Sequence, residues 1–339
     1  MACIAFNANA ITQISNLIYS EEDKDVTFTF EGFDVKIKAH KVLVKAVSPV
    51  LKEMLTGSTE IKITDIHPNI FQWLINAIYM LYVPVSTFEL GTVANLNYAA
   101  FKFQVMDIYS STANELFRRC QPENVDFLMK VAKSQNMPEL EKVCKKIFNL
   151  HTYAVLESWL LFDDSDDDFE DAIVSEFFSV NHLHIVSEFD LYVILETLVE
   201  SKCLKGWVRS LKEIRFQAMD TREVLDCKLL RDSQKCAIIA NIDALIHRED
   251  PKIPMPDGFS TTFRNRNPTN ERGRFMLWIM ILLKCPNYDK NLDRFNDIFC
   301  LTQCQRCRLK FSTQKARTTC PKHLYEKADE IYGKIYPHF

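Results

Sequence analysis

The chain has 339 residues, 47% of them hydrophobic and 25% charged, with a formal net charge of −4 at pH 7. This length allows two or three domains with sizeable cores, and the net charge is too small to predict a polyanionic or polycationic partner for the molecule as a whole. The longest apolar run, residues 275–283, is too short for the roughly 20 residues of a membrane-spanning helix. Met1–Ala10 contains no basic residue, which argues against a signal peptide. We therefore expect an intracellular protein of the cytoplasm or the nucleus.

The composition favours helices. Only 7 glycines and 12 prolines occur, and apolar residues recur at spacings of three and four through most of the chain, which predicts a mostly helical protein. The 11 cysteines, without a predicted signal peptide, indicate reduced thiols rather than a disulfide framework. Most are scattered through helical patterns, but four crowd into the C-terminal region.

The first predicted elements are strands. Apolar and polar residues alternate in residues 25–37 around a turn at Glu31-Gly32, which is typical of a β-hairpin. Residues 40–55 then place apolar side chains at helical spacing. Within them Pro49, with Ser48 as N-cap, begins a second short helix.

A third strand and a longer helix follow this pair of helices. Ile61-Lys62-Ile63 forms a short strand after a Thr-Gly-Ser turn, and Asn69–Leu81 has the spacing of an amphipathic helix. In chain order these elements are a hairpin, the helix start AHK, a Ser-Pro helix break, an ML-TG turn, a short strand, I-x-D-I-x-P-x-x-F and IY at a helix end. Across roughly residues 16–117, this order resembles the BTB (POZ) domain.

The resemblance implies an α+β domain over residues 1–117, in which a small sheet is capped by helices and an N-terminal helix mediates dimerisation. Residues 10–20 have the matching apolar face, formed by Ile11, Ile14, Leu17 and Ile18. In dimerising BTB domains, an Asp at the hairpin start and a basic residue after the His line a charged pocket, and these positions correspond to Asp25 and Lys41. From the residues alone, Asp25 could equally cap a turn and Lys41 be solvated.

Residues 118–246 are predicted to form a second, all-helical domain. The break Asn136-Met137-Pro138-Glu139 separates two antiparallel helices, and the segment ENVDFLMKVAKSQNMPELEKVCKKIF resembles the linker and BACK domain of ubiquitin-ligase adaptors. The resemblance continues through Ser187-Glu188 and the IRF-x-x-M segment at residues 214–219. The acidic residues 163–170 indicate a solvated loop or a helix start; calcium binding is the alternative, but the glycine and ligand spacing of an EF-hand are missing.

Residues 247–299 are predicted to be a linker and an apolar helix. Prolines and Gly258 precede a polar stretch, residues 259–274, which is typical of a linker or an exposed loop. Residues 275–283 are apolar nearly all round, which indicates a buried helix or a partner-binding surface. No repeat follows that could build the β-propeller with which many BTB-BACK proteins continue.

A small module is predicted over residues 300–339. Its motif is Cys304-x2-Cys307-x12-Cys320-x2-His323, and two close pairs of ligands suit a tetrahedral zinc ion. Three thiolates and one imidazole would form a closed, structural site with no open position for a catalytic water. The alternative is a chance grouping of thiols.

Six basic residues and no acid lie between Cys304 and His323. Part of this charge could neutralise a zinc-thiolate centre, and the rest could contact phosphates. Phe311 is the single aromatic residue in this span, which is thin evidence for base recognition. The basic residues are Arg306, Arg308, Lys310, Lys315, Arg317 and Lys322.

The resemblance implies a dimeric adaptor or scaffold that holds a cullin and recruits a client protein for ubiquitination. Cullin-binding BTB domains usually carry an apolar-x-Glu element after the ML-TG segment. Here the loop is shortened to residues 56–60, so that Glu60, the candidate cullin contact, lacks its apolar companion. The alternative is a nuclear regulator that binds nucleic acid through the basic zinc module. No glycine-rich phosphate loop or nucleophile elbow is present, so we expect no enzyme.

Overall fold

The structure is a computed structural model that describes residues 20–21, 23–80, 83–161, 169–201, 204–266, 274 and 277–278. These residues divide into two compact units. Unit 1 contains the described residues up to Cys120 together with Ser134–Asn136, and unit 2 contains Gln121–Lys133 and the described residues from Met137 onward. Unit 1 combines a sheet with helices, whereas unit 2 is mainly helical.

Unit 1 is built around a three-stranded sheet with the strand order β2-β1-β3. Its elements are β1 (Val26–Phe30), β2 (Phe33–Ala39), α1 (Lys41–Val47), α2 (Pro49–Met54), β3 (Glu60–Ile63), α3 (Pro68–Met80), a 3-10 turn (Val85–Thr87), α4 (Leu90–Lys102) and α5 (Met106–Arg118). Strand β1 is antiparallel to β2 and parallel to β3, so that Phe28 lies opposite both Ile37 and Ile61. The predicted hairpin and third strand are confirmed.

The core of unit 1 forms because alternate residues of β1 point to one face of the sheet. Phe28 and Phe30 are buried there, and their rings lie 4.6 and 5.5 Å from the ring of Phe71 on α3. Phe71 also contacts Phe103 at the end of α4, with 5.5 Å between ring centroids. One aromatic side chain of α3 therefore joins the sheet to the helices.

The break between α1 and α2 is fixed by Ser48, as the Ser-Pro pair predicts. The hydroxyl of Ser48 accepts a hydrogen bond from the backbone N–H of Leu51 at 3.0 Å, and Pro49 occupies the first turn of α2. The same hydroxyl donates to the carbonyl oxygen of Phe103 at 2.5 Å. The buried serine thus caps one helix and attaches the helix pair to the end of α4.

Unit 2 is a set of helices with two short strand pairs. Its elements are α6 (Val125–Ser134), α7 (Pro138–Leu150), α8 (Thr152–Leu161), β4 (Phe169–Glu170), α9 (Asp171–Phe178), β5 (His182–Leu183), α10 (Glu188–Glu200), β6 (Leu204–Lys205), α11 (Val208–Glu213), a 3-10 turn (Phe216–Ala218), α12 (Thr221–Asp226), α13 (Asp232–His247) and β7 (Asn265–Arg266). Strand β4 pairs with β6, and β5 pairs with β7. Every residue of 188–198 is buried, so α10 is the central helix of this unit. The predicted break between α6 and α7 is confirmed, with Asn136 in the left-handed region at φ 52°.

The predicted linker differs in part from the observed structure. Residues 248–254 are exposed, as expected, but Phe259 and Arg264 of the polar stretch are buried. Leu277 and Trp278 are also buried, in agreement with the prediction for the apolar residues. Within the described ranges, no helix combines the length and the apolar character that a membrane crossing requires.

Candidate functional site

An apolar groove of about 410 Å³ opens on unit 1. Its walls come from the junction of α1 and α2, the end of α3, the turn after α3 and the start of α5. Most of the lining side chains are apolar, and the lining residues are Val47, Pro49, Ala77, Ile78, Val83, Val85, Gln104, Val105, Met106, Asp107, Ile108, Ser111 and Thr112. We call this feature the apolar groove.

Two large apolar side chains of the groove are exposed, because they flank breaks between helices. Val47 is the last residue of α1 and is 40% exposed, whereas Met106 is the first residue of α5 and is 52% exposed. Gln104 turns the chain between α4 and α5 with φ 53°, and the N–H of Val105 donates to the carbonyl of Ala100 at 2.8 Å. This tight turn sets Met106 at the groove.

The apolar surface continues beside the start of α5. Phe101, near the end of α4, is 55% exposed, and its ring lies 5.5 Å from the ring of Tyr109. Tyr109 is one helical turn after Met106, so both residues share a face of α5. Exposed apolar side chains that lie together in this way are typical of protein interaction sites.

A buried polar contact holds α5 in position. The amide nitrogen of Asn97, on α4, donates to the hydroxyl of Thr112 at 2.8 Å and to the carbonyl of Tyr109 at 3.0 Å. Asn97 and Thr112 are both fully buried. Because buried hydrogen bonds of this kind have strict geometry, they fix how α5 lies against α4 and hence the shape of the groove.

The structure brings Asp25 and Lys41 together, but through the backbone. The N–H of Lys41, in the first turn of α1, donates to the Asp25 carboxylate at 2.6 Å. This contact satisfies a backbone donor that has no partner within the helix. The ammonium group of Lys41 donates to the carbonyl of Ser58 at 2.9 Å. The geometry therefore contains the turn-capping contact that the sequence left open.

His40, next to Lys41, is attached to α3. Its backbone N–H donates to the hydroxyl of Tyr79 at 2.7 Å, and its Nδ1 lies 3.0 Å from the same oxygen. Burial raises the pKa of Tyr79, so the hydroxyl stays protonated near neutral pH. This contact joins the start of α1 to α3.

Glu60 is the first residue of β3 and is exposed. The loop before it turns at Gly57, where φ is 82°, and is closed by Ser58, whose hydroxyl donates to the carbonyl of Glu60 at 2.7 Å. The shortened loop is thus a compact turn that leaves the Glu60 carboxylate at the edge of the sheet.

The remaining predicted site residues lie outside the described residues. These are Ile14, Leu17 and Ile18 of the predicted dimerisation helix and the predicted zinc ligands Cys304, Cys307, Cys320 and His323. In the part of the chain that the structure describes, no group of three or more His, Cys, Asp or Glu side chains could hold a metal ion.

Sequence reasoning did not identify the apolar groove. Val47 and Met106 match the helical spacing of core residues, and their exposure depends on helices that meet only in the folded unit. The detectable signal was local: an apolar residue directly before the Ser48-Pro49 break and another directly after the Gln104-Val105 turn.

Comparisons with known proteins agree with the architecture of unit 1. The family model of the BTB/POZ domain matches residues 16–119. Kelch-like ECH-associated protein 1A of Danio rerio is 23% identical over 274 residues, which cover 74% of this chain and 40% of that protein. The chain therefore matches less than half the length of this relative.

Two solved structures match with a TM-score of 0.29 each, and each match covers 34% of this chain and 96% of the other. They are the BTB domain of zebrafish PATZ1, at 17% identity, and the BTB domain of human gigaxonin, at 15% identity. Together with the family model and the kelch-like relative, the order of strands and helices gives one conclusion. Residues 16–119 of this chain form a BTB/POZ domain.

Proposed function

We propose that this chain is a non-catalytic, dimeric adaptor that holds a cullin scaffold through the apolar groove and recruits a client protein for ubiquitination. The observation that carries the proposal is the apolar groove itself, with Val47 and Met106 exposed on a BTB/POZ domain. The helical unit 2 would serve as the arm between the cullin and the client. The relation to a kelch-like protein supports an interaction role.

The size and chemistry of the groove suit a helix of a partner. Pockets of about 300–1,000 Å³ with mostly apolar walls bury a compact group of side chains well, and an amphipathic helix inserts residues spaced by three and four into such grooves. Asp107, exposed at the start of α5, offers a carboxylate at the edge. We therefore expect an apolar helix with a flanking basic residue as the occupant.

Glu60 is proposed as a second cullin contact. Its exposed carboxylate at the start of β3 can accept hydrogen bonds from a partner. Because the compact turn at Gly57 and Ser58 brings no apolar side chain beside it, we expect Glu60 to contribute less to affinity than Met106.

A second copy of the chain is the proposed partner of another surface of unit 1. Val42 on α1 is 74% exposed, and Phe33 and Val35 on the edge strand β2 are 45% and 43% exposed. An edge strand with apolar side chains favours pairing with another chain. The predicted dimerisation residues Ile14, Leu17, Ile18, Asp25 and Lys41 would belong to this interface.

The cullin contact is tested by co-purification of the full chain with a cullin N-terminal fragment at physiological salt. We expect a complex for the wild type and its loss for Met106→Glu, because a carboxylate cannot enter the apolar groove without a large desolvation cost. Leu225→Glu, on an exposed position of unit 2, is the matched control and should bind normally. No wild-type complex at concentrations on the order of 10 µM would sink the cullin proposal.

We also propose that zinc is held by Cys304, Cys307, Cys320 and His323, on the basis of their spacing. Metal analysis should find one zinc ion per chain, and a Cys304→Ser/Cys307→Ser variant should lose it. Absence of metal from the purified protein would contradict the zinc proposal.

Nucleic-acid binding in the nucleus is the second candidate function, favoured by the six basic residues between Cys304 and His323. This role predicts a measurable affinity for nucleic acid that falls steeply with salt, whereas the adaptor role predicts negligible binding even at low salt. A titration at two salt concentrations separates the two roles and bears on the choice between nucleus and cytoplasm.

A further inference from the structure

We infer that residues 259–266, with Arg274, Leu277 and Trp278, form a docked strap that fixes the C-terminal part of the chain to unit 2. The sequence assigned residues 259–274 to a linker or an exposed loop, because their composition is polar. The described residues show instead two buried ionic anchors and a strand pair. Both ionic anchors reach the start of α10, and the strand pair joins the strap to β5.

The first anchor is Arg264, whose side chain is fully buried against the equally buried Glu188. Its Nε donates to Glu188 Oε1 at 2.8 Å. The two terminal nitrogens donate to three backbone carbonyls at the ends of α9 and α11, those of Phe178, Val180 and Glu213. A planar guanidinium can serve such a divergent set of acceptors at once, whereas a lysine ammonium cannot reach them all.

Glu188 is the first residue of α10, and its second carboxylate oxygen accepts the N–H of Arg215 at 3.2 Å. The carboxylate therefore lies between a strap residue and a residue of the helical unit. Removal of Arg264 would leave the buried Glu188 carboxylate without its salt-bridge partner, which is strongly destabilising.

The second anchor is Asp190, two residues further along α10 and also fully buried. Its carboxylate accepts hydrogen bonds from Arg274 Nε at 3.0 Å and from the indole N–H of Trp278 at 3.0 Å, both in the strap. The third donor is the hydroxyl of Tyr153, at 2.7 Å, from α8. Burial, and secondly the charge of Asp190, raises the pKa of Tyr153, so this hydroxyl remains a donor.

Backbone and apolar contacts also join the strap to the helical unit. Strand β7 pairs with β5 in parallel, with Asn265 opposite His182. The N–H of Ser260 donates to the carbonyl of Lys212 at 3.0 Å. The ring of Phe259 lies 5.8 Å from that of Phe216, and the indole of Trp278 is fully buried.

Two buried carboxylates at the start of the central helix thus receive their cations from the strap. Docking of the strap and folding of unit 2 are therefore coupled, and the chain after Trp278 starts from a buried residue that is hydrogen-bonded to Asp190. If the adaptor proposal holds, the client-binding part starts from a fixed point and not from a flexible tether. That consequence rests on the proposed function, whereas the docking of the strap does not.

Hydrogen exchange of the full-length protein, read by mass spectrometry, tests the strap without any client. In the wild type, peptides that cover 259–266 should be protected. In Arg264→Met the same peptides should exchange at least about tenfold faster, since the local opening free energy falls when the anchor is lost. Peptides from α4 in unit 1 should not change. Arg222→Met, at an exposed arginine on α12, is the control and should match the wild type.

If Arg264→Met does not fold, Arg264→Lys gives a second measurement, because lysine keeps the positive charge but lacks the planar guanidinium group. We expect a smaller acceleration in that variant. If neither variant folds, the wild type decides alone: protection of 259–266 supports the strap. Exchange of these peptides in the wild type at the rate of an unstructured peptide, or no acceleration in a folded Arg264→Met, would overturn the inference. Neither result bears on cullin binding.

Discussion

The two units differ in what they bury. The centre of unit 1 is aromatic and apolar around Phe71, and ion pairs such as Lys62–Glu31 lie on its surface. Unit 2 buries Glu188 and Asp190 completely in its central helix and neutralises them with arginines of the strap. Both units expose large apolar side chains, such as Phe101 and Met106 in unit 1 and Leu225 and Ile246 in unit 2.

This difference suggests a division of roles. The core of unit 1 does not depend on paired charges, so its apolar surface can change without loss of the fold. The interior of unit 2 depends on contacts between residues far apart in the sequence, such as Arg264 and Glu188. We expect the stability of unit 1 to fall most when a large core side chain is truncated. We expect the stability of unit 2 to fall most when one partner of a buried ion pair is removed.

The largest effect is expected for the buried ion pair of unit 2. Arg264→Met should lower the free energy of unfolding by about 3–5 kcal/mol, because one partner is left charged in the interior. An Arg264→Met/Glu188→Met double variant should be less destabilised than the single variant, since no charge is then stranded. Urea denaturation of the wild type, both single variants and the double variant measures these free energies of unfolding. A double variant as unstable as the sum of both single variants would show that the pair is not coupled.

A loss of similar size is expected for the aromatic core of unit 1. Phe71→Ala should cost about 3–5 kcal/mol, because Phe71 is fully buried and contacts three other rings. Trp73→Ala on the same helix is the control. Trp73 is 37% exposed and packs on Phe88 at 4.6 Å, so its loss should be nearer to about 1 kcal/mol. Equal losses in thermal unfolding would contradict the assigned core.

A smaller effect concerns the pH dependence of unit 2. Burial opposes ionisation of Glu176, but hydrogen bonds and charge from Lys133 and Lys145 outweigh it and lower the pKa below the usual value. A carboxyl with a lowered folded-state pKa contributes stability above its unfolded pKa, and this contribution disappears as the pH falls through the folded value. Between pH 7 and about pH 3, the midpoint temperature of thermal unfolding should therefore fall less steeply with pH in Glu176→Gln than in the wild type. The same pH dependence of stability in both proteins would show that Glu176 does not contribute to the loss of stability at low pH.

The smallest effect on stability is expected at the apolar groove. Met106→Glu should change the free energy of unfolding by less than about 0.5 kcal/mol, because Met106 is exposed. It is also the first residue of α5, where an acidic side chain interacts favourably with the helix dipole. A melting temperature well below that of the wild type would mean that Met106 belongs to the core and not to a partner surface.

Local patterns predicted the elements of unit 1 well. The strands follow from alternation around Phe28, and the helix break follows from Ser48-Pro49, since both signals lie within a few residues. The family resemblance over residues 16–117 added the order of these elements. The match of the family model to residues 16–119 confirms it.

Contacts across long stretches of sequence were not predictable in the same way. Arg264 and Glu188 are 76 residues apart, and a polar segment that carries a buried arginine has the composition of a loop. The apolar groove could not be predicted for a related reason, because it forms where four helices, α1, α2, α3 and α5, meet. Asp25 shows an intermediate case: the sequence identified the residue and both of its possible roles, and the geometry revealed the contact with the Lys41 amide.

The most direct test of the adaptor account is the affinity of the purified full chain for a cullin N-terminal fragment, measured by titration calorimetry for the wild type, Met106→Glu and Leu225→Glu. We predict that Met106→Glu binds at least about tenfold more weakly, a loss of about 1.4 kcal/mol or more, while Leu225→Glu binds like the wild type. Equal affinity of the wild type and Met106→Glu, with both proteins folded, would contradict the account.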